Sequence, residues 1–203
     1  MIHIVDYGLG NVLALQNMYK RMNVDVALAR SAADLADAKR VILPGVGAFN
    51  HAMQLLNRSG MREPLDALVR DGRTPVLGIC VGMQMLGRSS SEGTERGLGY
   101  VDGDVRGFKA LALPDLLLPH MGWNDVRPLR SGGLFAGLET DARFYFLHSY
   151  YFNCDRAGDA VAVSTYGVEF ACAVQVGNVY GVQFHPEKSH HFGAQLLKHF
   201  AEI

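Results

Sequence analysis

Three side chains in the sequence have the types and local settings that nucleophilic catalysis needs: Cys80, His185 and Glu187. Cys80 lies in Thr74-Pro-Val-Leu-Gly-Ile-Cys-Val-Gly-Met-Gln-Met-Leu86. The pattern predicts a buried strand over 75–79, a sharp turn at Cys80 and a helix starting near Gly82. Gly78 and Gly82 flank the cysteine, and a strand that turns at once into a helix needs such small neighbours. This is a nucleophile elbow with Cys in the place of Ser. It puts the sulfur near a helix start, where free N–H groups and the helix dipole favour a thiolate. Cys154 and Cys172 have no such setting and read as ordinary core cysteines.

His185-Pro-Glu-Lys-Ser189 follows an apolar run, Val179-Tyr-Gly-Val-Gln-Phe184. Pro186 keeps His185 extended, and the His-x-Glu spacing lets the carboxylate fold back towards the imidazole. Cys, His and Glu then have separate roles: nucleophile, proton carrier, and the group that fixes the imidazole tautomer. Of the eight histidines, His185 alone combines a strand end with a near carboxylate in this way. The Pro44-Gly-Val-Gly47 stretch is a third feature. It joins a strand to a helix and can present backbone N–H groups to an anion, or can simply make a tight turn.

The elements that must position these groups alternate. Strands are expected at 2–5, 24–29 and 40–44, with helices at 12–22, after Ser31, at 48–56 and at 61–70. Ser31 and Asp34 have capping-box spacing. Such alternation predicts a parallel sheet covered by helices on both faces. Parallel strands end on one edge, so Cys80 and His185 can meet there despite their separation in sequence. Residues 99–108 read as a strand pair turning at Asp102-Gly103. A strand at 143–148, a hairpin of 161–165 with 170–176 turning near Gly167, and a final helix at 191–201 complete the chain. The hairpins make the sheet mixed: α/β, open and mostly parallel. Gly8-x-Gly10 after the first strand lacks the third glycine of a dinucleotide fingerprint, because Leu13 stands at that position.

With 203 residues, 49% of them apolar, the chain reads as one domain with a substantial core. A net charge of −1 gives no reason to expect nucleic acid or an anionic membrane as the main partner. There is no apolar run long enough to span a bilayer and no signal-peptide pattern. Three cysteines at irregular spacing argue against a disulfide framework. A reduced, cytoplasmic protein is the expectation.

Gly78-x-Cys80-x-Gly82-x-Gln84 together with His185-Pro-Glu187 resembles the signature pair of the class I, triad-type glutamine amidotransferases. The blocks Asp6-Tyr-Gly-Leu-Gly-Asn11, Pro44-Gly-Val-Gly-Ala-Phe49, Pro119-His-Met-Gly-Trp-Asn124, Phe146-Leu-His-Ser-Tyr150 and Gly181-Val-Gln-Phe-His-Pro-Glu-Lys-Ser189 narrow the resemblance to the glutaminase subunits of imidazole glycerol phosphate synthase. It covers essentially the whole chain. Val81 stands where that family commonly has Leu, but the residue there acts through its backbone N–H.

The resemblance implies a flavodoxin-like fold over 1–203 and hydrolysis of glutamine to glutamate and ammonia. The ammonia would pass to a (β/α)₈ cyclase subunit in a heterodimer, for histidine biosynthesis. It implies Cys80, His185 and Glu187 as the triad, with oxyanion donors at Val81 and at Val46 or Gly47. It assigns glutamine binding to Gln84, Glu92, Ser149 and Tyr150. Asn11, His120, Trp123, Tyr145 and Lys188 fall on or near the partner-facing side. No metal or organic cofactor is implied, and no Cys/His cluster has zinc spacing. A cysteine peptidase, another amidotransferase and a non-catalytic subunit of the same fold are the alternatives. Because the Pro44–Gly47 peptides can rotate easily, the chain alone is expected to be a poor glutaminase until a partner sets its donors.

Overall fold

A computed structural model describes residues 1–203. The first half alternates as the sequence predicts: β1 (Ile2–Val5), α1 (Val12–Arg21), β2 (Val26–Ala29), α2 (Ala32–Leu35), β3 (Arg40–Gly45), α3 (Phe49–Arg58), α4 (Arg62–Asp71), β4 (Val76–Cys80) and α5 (Val81–Met85). Next come β5 (Ser89–Ser90), β6 (Gly103–Gly107), β7 (His120–Asp125), β8 (Arg127–Pro128), β9 (Arg143–His148), β10 (Tyr150–Cys154), β11 (Ala160–Tyr166), β12 (Val168–Val176), β13 (Val179–Val182) and α6 (His190–Glu202).

The main sheet runs β2-β1-β3-β4-β13-β12-β10-β6-β5, with β11 and β8 added alongside β12. Its β2-β1-β3-β4-β13 half is wholly parallel, and antiparallel pairing begins at β12. The parallel strands are continuous apolar runs. Val41, Ile42, Leu43, Val76, Leu77 and Val182 are all fully buried, as a sheet covered on both faces requires. Right-handed crossovers put α1 on one face and α2, α3 and α4 on the other, while contacts set α6 beside α1 and α5 beside α3. Ser31 opens α2 as its spacing predicts, its N–H donating to the Asp34 carboxylate at 2.9 Å.

The second half departs from expectation at residues 99–108 and in four strands the sequence does not predict. Residues 99–108 are not a strand pair: only Gly103–Gly107 is a strand, and it pairs with β10 and β5. Gly103 is required by a close approach and not by a turn. A Cβ there would lie 2.5 Å from the Asn153 carbonyl and 2.6 Å from the Phe152 ring. The four added strands are β5, β7, β8 and β10, the last separated from β9 by Ser149 alone. β9 itself pairs only with β7, as a separate two-stranded ribbon.

Candidate active site

β4, β13 and β3 are neighbours in the parallel half, so their carboxyl ends share one edge. Cys80 ends β4 with φ +56° and ψ −115°, a conformation that L-residues avoid and that an elbow imposes. The flanking glycines are steric requirements. A Cβ on Gly82 would stand 1.9 Å from the Leu43 carbonyl oxygen, and one on Gly78 would stand 2.6 Å from the Gly82 oxygen. Gly45, ending β3, is pressed as closely on the elbow: its Cβ would lie 2.5 Å from the Gly82 nitrogen. Glycine at all three positions therefore lets the Pro44–Gly47 loop sit directly beside Cys80. Tyr7 steadies that loop from below, its buried hydroxyl donating to the Pro44 carbonyl at 2.8 Å.

His185 follows β13 in an extended conformation, as Pro186 demands. Its Nδ1 lies 2.9 Å from Glu187 Oε1, and the two side chains are only 4% and 2% exposed. The backbone is held as firmly: His185 N–H donates to the Tyr145 carbonyl, and the Ser189 hydroxyl donates to the His185 carbonyl at 2.6 Å. Burial disfavours an imidazolium here. The hydrogen bonds and charges of Cys80 and Glu187 outweigh it, and the His185 pKa is pushed up to about 10. The other Glu187 oxygen, Oε2, is buried without a partner.

These groups border one cavity of about 540 Å³. Cys80, His185 and Glu187 line it together with Val46, Gly47 and Val81. So do Gln84, Glu92, Ser149 and Tyr150. One Glu92 oxygen accepts the Phe49 N–H at the start of α3, at 2.9 Å, which anchors the carboxylate. Gln84 donates to the Tyr150 carbonyl at 3.2 Å and to Gln183 Oε1 at 3.0 Å, so both of its N–H groups are spent.

Two lining or supporting groups escaped the sequence reading. Gln183 is fully buried, and its amide points at the sulfur, 3.7 Å from Cys80 Sγ. No local pattern marks it, because Cys80 lies 103 residues away in sequence. His148 also borders the cavity. It is not a competing base, because both of its ring nitrogens are engaged, by the Tyr150 carbonyl and by His120. Burial pushes its pKa down to about 3.

The residues assigned to the partner side divide. Asn11 and Lys188 line the cavity mouth. Trp123 and Tyr145 face each other across β7 and β9, with the Lys188 ammonium 5.7 Å above the Tyr145 ring. Met121 and Leu147 continue this exposed apolar face. His120 does not share it: strand alternation turns its side chain to the buried side of β7, where it is 3% exposed. All three cysteines are free, and Cys172 is buried as expected while Cys154 is half-buried. No group of three or more His, Cys, Asp or Glu is placed to hold a metal ion, and no helix is long and apolar enough to cross a membrane.

A thiol at a strained elbow, an imidazole held by a buried carboxylate, and a glycine-rich backbone beside the sulfur can carry out acyl transfer through a thioester. Comparison with known proteins agrees. The model of the glutamine amidotransferase class-I family matches residues 3–203. The imidazole glycerol phosphate synthase subunit HisH of Bdellovibrio bacteriovorus is 61% identical over 100% of both chains. The HisH subunit of Leptospira interrogans is 46% identical, again over 100% of both. Among solved structures, a glutamine amidotransferase superposes with TM-score 0.77 at 19% identity, covering 99% of this chain and 97% of that one. The PurLQS structure from Thermotoga maritima superposes with TM-score 0.73 at 17% identity, covering 99% and 97%. At such identities the structural likeness concerns the fold alone.

Proposed function

The chain belongs to the class-I glutamine amidotransferases, and we propose that it is the glutaminase subunit of an imidazole glycerol phosphate synthase, acting in histidine biosynthesis. The observation that carries this is the 61% identity to a HisH subunit across the full length of both chains. The shared cavity of Cys80, His185 and Glu187 supports it with a chemistry.

In this reading Cys80 Sγ attacks the side-chain amide carbon of glutamine. The C–S bond forms as the carbonyl electrons move onto oxygen. The N–H of Val81 and that of Val46 or Gly47 stabilise the oxyanion, and losing one such donor typically costs about 10²–10³ in rate. The tetrahedral species collapses, the C–N bond breaks, and the His185 proton goes to the departing nitrogen, giving ammonia and a γ-glutamyl thioester. Neutral His185 then takes a proton from water as it attacks the thioester. Glutamate leaves, and the thiol–imidazole pair is restored. Glu187 keeps the imidazole in the tautomer that serves both steps. Gln84, Glu92, Ser149 and Tyr150 hold the amino-acid end of the substrate.

The proposed partner is a (β/α)₈ cyclase subunit, which takes the ammonia to make imidazole glycerol phosphate and a carboxamide ribotide. Trp123 and Tyr145, with Met121 and Leu147 beside them, form an exposed apolar face suited to docking, and Asn11 and Lys188 mark where the cavity opens. Ammonia freed into water becomes mostly ammonium, which is no nucleophile, so the cavity mouth belongs under the partner. The whole chain, 1–203, acts as one amidotransferase domain in the cytoplasm.

The test is a Cys80→Ala subunit assembled with the cyclase. Glutamine-dependent product formation should disappear while ammonium salts still support it. Retained glutamine-dependent synthesis would refute the reading.

A further inference from the structure

Behind the cavity wall lies a chain of hydrogen bonds that the glutaminase chemistry does not use. His148 Nδ1 lies 2.7 Å from the Tyr150 carbonyl. A carbonyl can only accept, so Nδ1 carries the proton and donates. His148 Nε2, 2.9 Å from His120 Nδ1, is then the acceptor of a neutral ring. His120 therefore donates from Nδ1, and its Nε2 accepts from the Asn124 amide at 3.1 Å. Asn124 is itself fixed: its amide also donates to the Thr165 carbonyl at 2.9 Å, and its oxygen accepts the Asp125 N–H at 2.8 Å. Every donor and acceptor is thus assigned one direction, from β7 towards the cavity.

The setting holds both rings neutral and immobile. His120 is stacked between Phe146 and Tyr166, with ring centroids 4.7 and 4.0 Å away. Phe108 and Phe170 pack on His148 at 5.4 and 5.3 Å. Burial depresses the pKa of both histidines, that of His120 to about 4.

The Tyr150 carbonyl is where this chain meets the substrate machinery. It also accepts a hydrogen bond from Gln84 at 3.2 Å, so its two lone pairs are taken by His148 and Gln84. The preceding carbonyl, that of Ser149, is tied to the Phe108 N–H at 3.1 Å. With both carbonyls held from behind, the Ser149–Tyr150 edge has one orientation, and Gln84 keeps its bond to Gln183 beside the sulfur.

We propose that His148, backed by His120 and Asn124, is a positioning relay that fixes the Ser149–Tyr150 edge of the cavity and so sets the affinity for glutamine. The inference rests on the glutaminase reading. His148 and His120 act through Tyr150 and Gln84 and take no part in bond breaking.

The test uses the complex with the cyclase subunit. His148→Phe should raise KM for glutamine about tenfold or more while kcat stays within about threefold and ammonium-driven synthesis is unchanged. His148→Asn, whose amide nitrogen takes the place of Nδ1, should recover most of the loss. His120→Phe, which suits the same aromatic sandwich, should raise KM several-fold, and should add nothing in the His148→Phe background. It also carries the test if His148→Phe does not fold. Nitrogen NMR of the wild type should show both rings neutral and protonated at Nδ1. An unchanged KM in folded variants, an equal loss in kcat and kcat/KM, or an Nε2-protonated His148 would overturn the inference alone. A wild-type complex without glutamine turnover would overturn the glutaminase reading and the inference with it.

Discussion

Replacing Glu187 by Gln isolates the electrostatic part of the site, because shape is kept and charge is lost. The carboxylate lies 2.9 Å from His185 Nδ1, with both side chains almost completely buried. A hydrogen bond to a charged group contributes about 1.5–3 kcal/mol, against about 0.5–1.5 for a neutral one. The substitution should therefore cost the imidazolium about 1–2 kcal/mol. If that energy is expressed in the transition state, kcat falls about 5–30-fold. KM should barely move, because His185 and Glu187 stand at the reacting end of the substrate. The pH dependence gives the sharper readout. The His185 pKa is raised from 6.5 to about 10, so the stability it contributes is fully present below about pH 6.5 and is lost as pH rises through about 10. Removing the Glu187 charge lowers the pH at which His185 gives up its proton by about one unit. The alkaline limb of kcat should shift down by the same amount, and the stability deficit of the variant should be largest below pH 6.5 and fade by pH 10. Steady-state glutamate release and thermal melts from pH 6 to 10 measure both. A variant with kcat within twofold of wild type and an unmoved alkaline limb would refute the assignment of Glu187.

Three further outcomes follow from the packing around the sulfur. Gly82→Ala places a methyl 1.9 Å from the Leu43 oxygen, and such overpacking costs about 1–3 kcal/mol or more. A chain of this length should lose at least about 2–4 °C in Tm per kcal/mol, read by calorimetry, with glutamine turnover abolished. Tyr7→Phe strips the buried donor from the Pro44 carbonyl and should lower Tm while reducing kcat more than it raises KM. Iodoacetamide at pH 7.5 should label Cys80 well before the other cysteines. Burial pushes the Cys154 thiol up to about 12 and raises that of Cys172 as well, and peptide mapping by mass spectrometry would show the order.

The candidate triad, which the structure brings to one cavity, was legible in the sequence because each member is marked by its own neighbours: Cys80 by Gly78 and Gly82, His185 by Pro186 and Glu187. The parallel half was legible for a similar reason, since its strands are buried on both faces and read as unbroken apolar runs. The second half was harder. Asp102-Gly103 has the composition of a hairpin turn, yet Gly103 is needed inside a strand, where the Phe152 ring and Asn153 carbonyl leave no room for a side chain. Only Ser149 separates β10 from β9, with no turn composition there to mark a change of sheet. His120 and Trp123 sit in one motif, but period-two alternation sends them to opposite faces. The roles of His148 and Gln183 depend on partners up to 103 residues away in sequence, which no local pattern encodes.

The central claim, that Cys80 carries the glutamyl group, is tested most directly by trapping it. The complex would be treated with an electrophilic glutamine analogue, digested and mapped by mass spectrometry. One adduct per chain on the Cys80 peptide, absent from Cys80→Ala and suppressed by excess glutamine, is the result expected. An adduct on Cys154 or Cys172, or undiminished glutamine turnover by a fully modified Cys80, would contradict it.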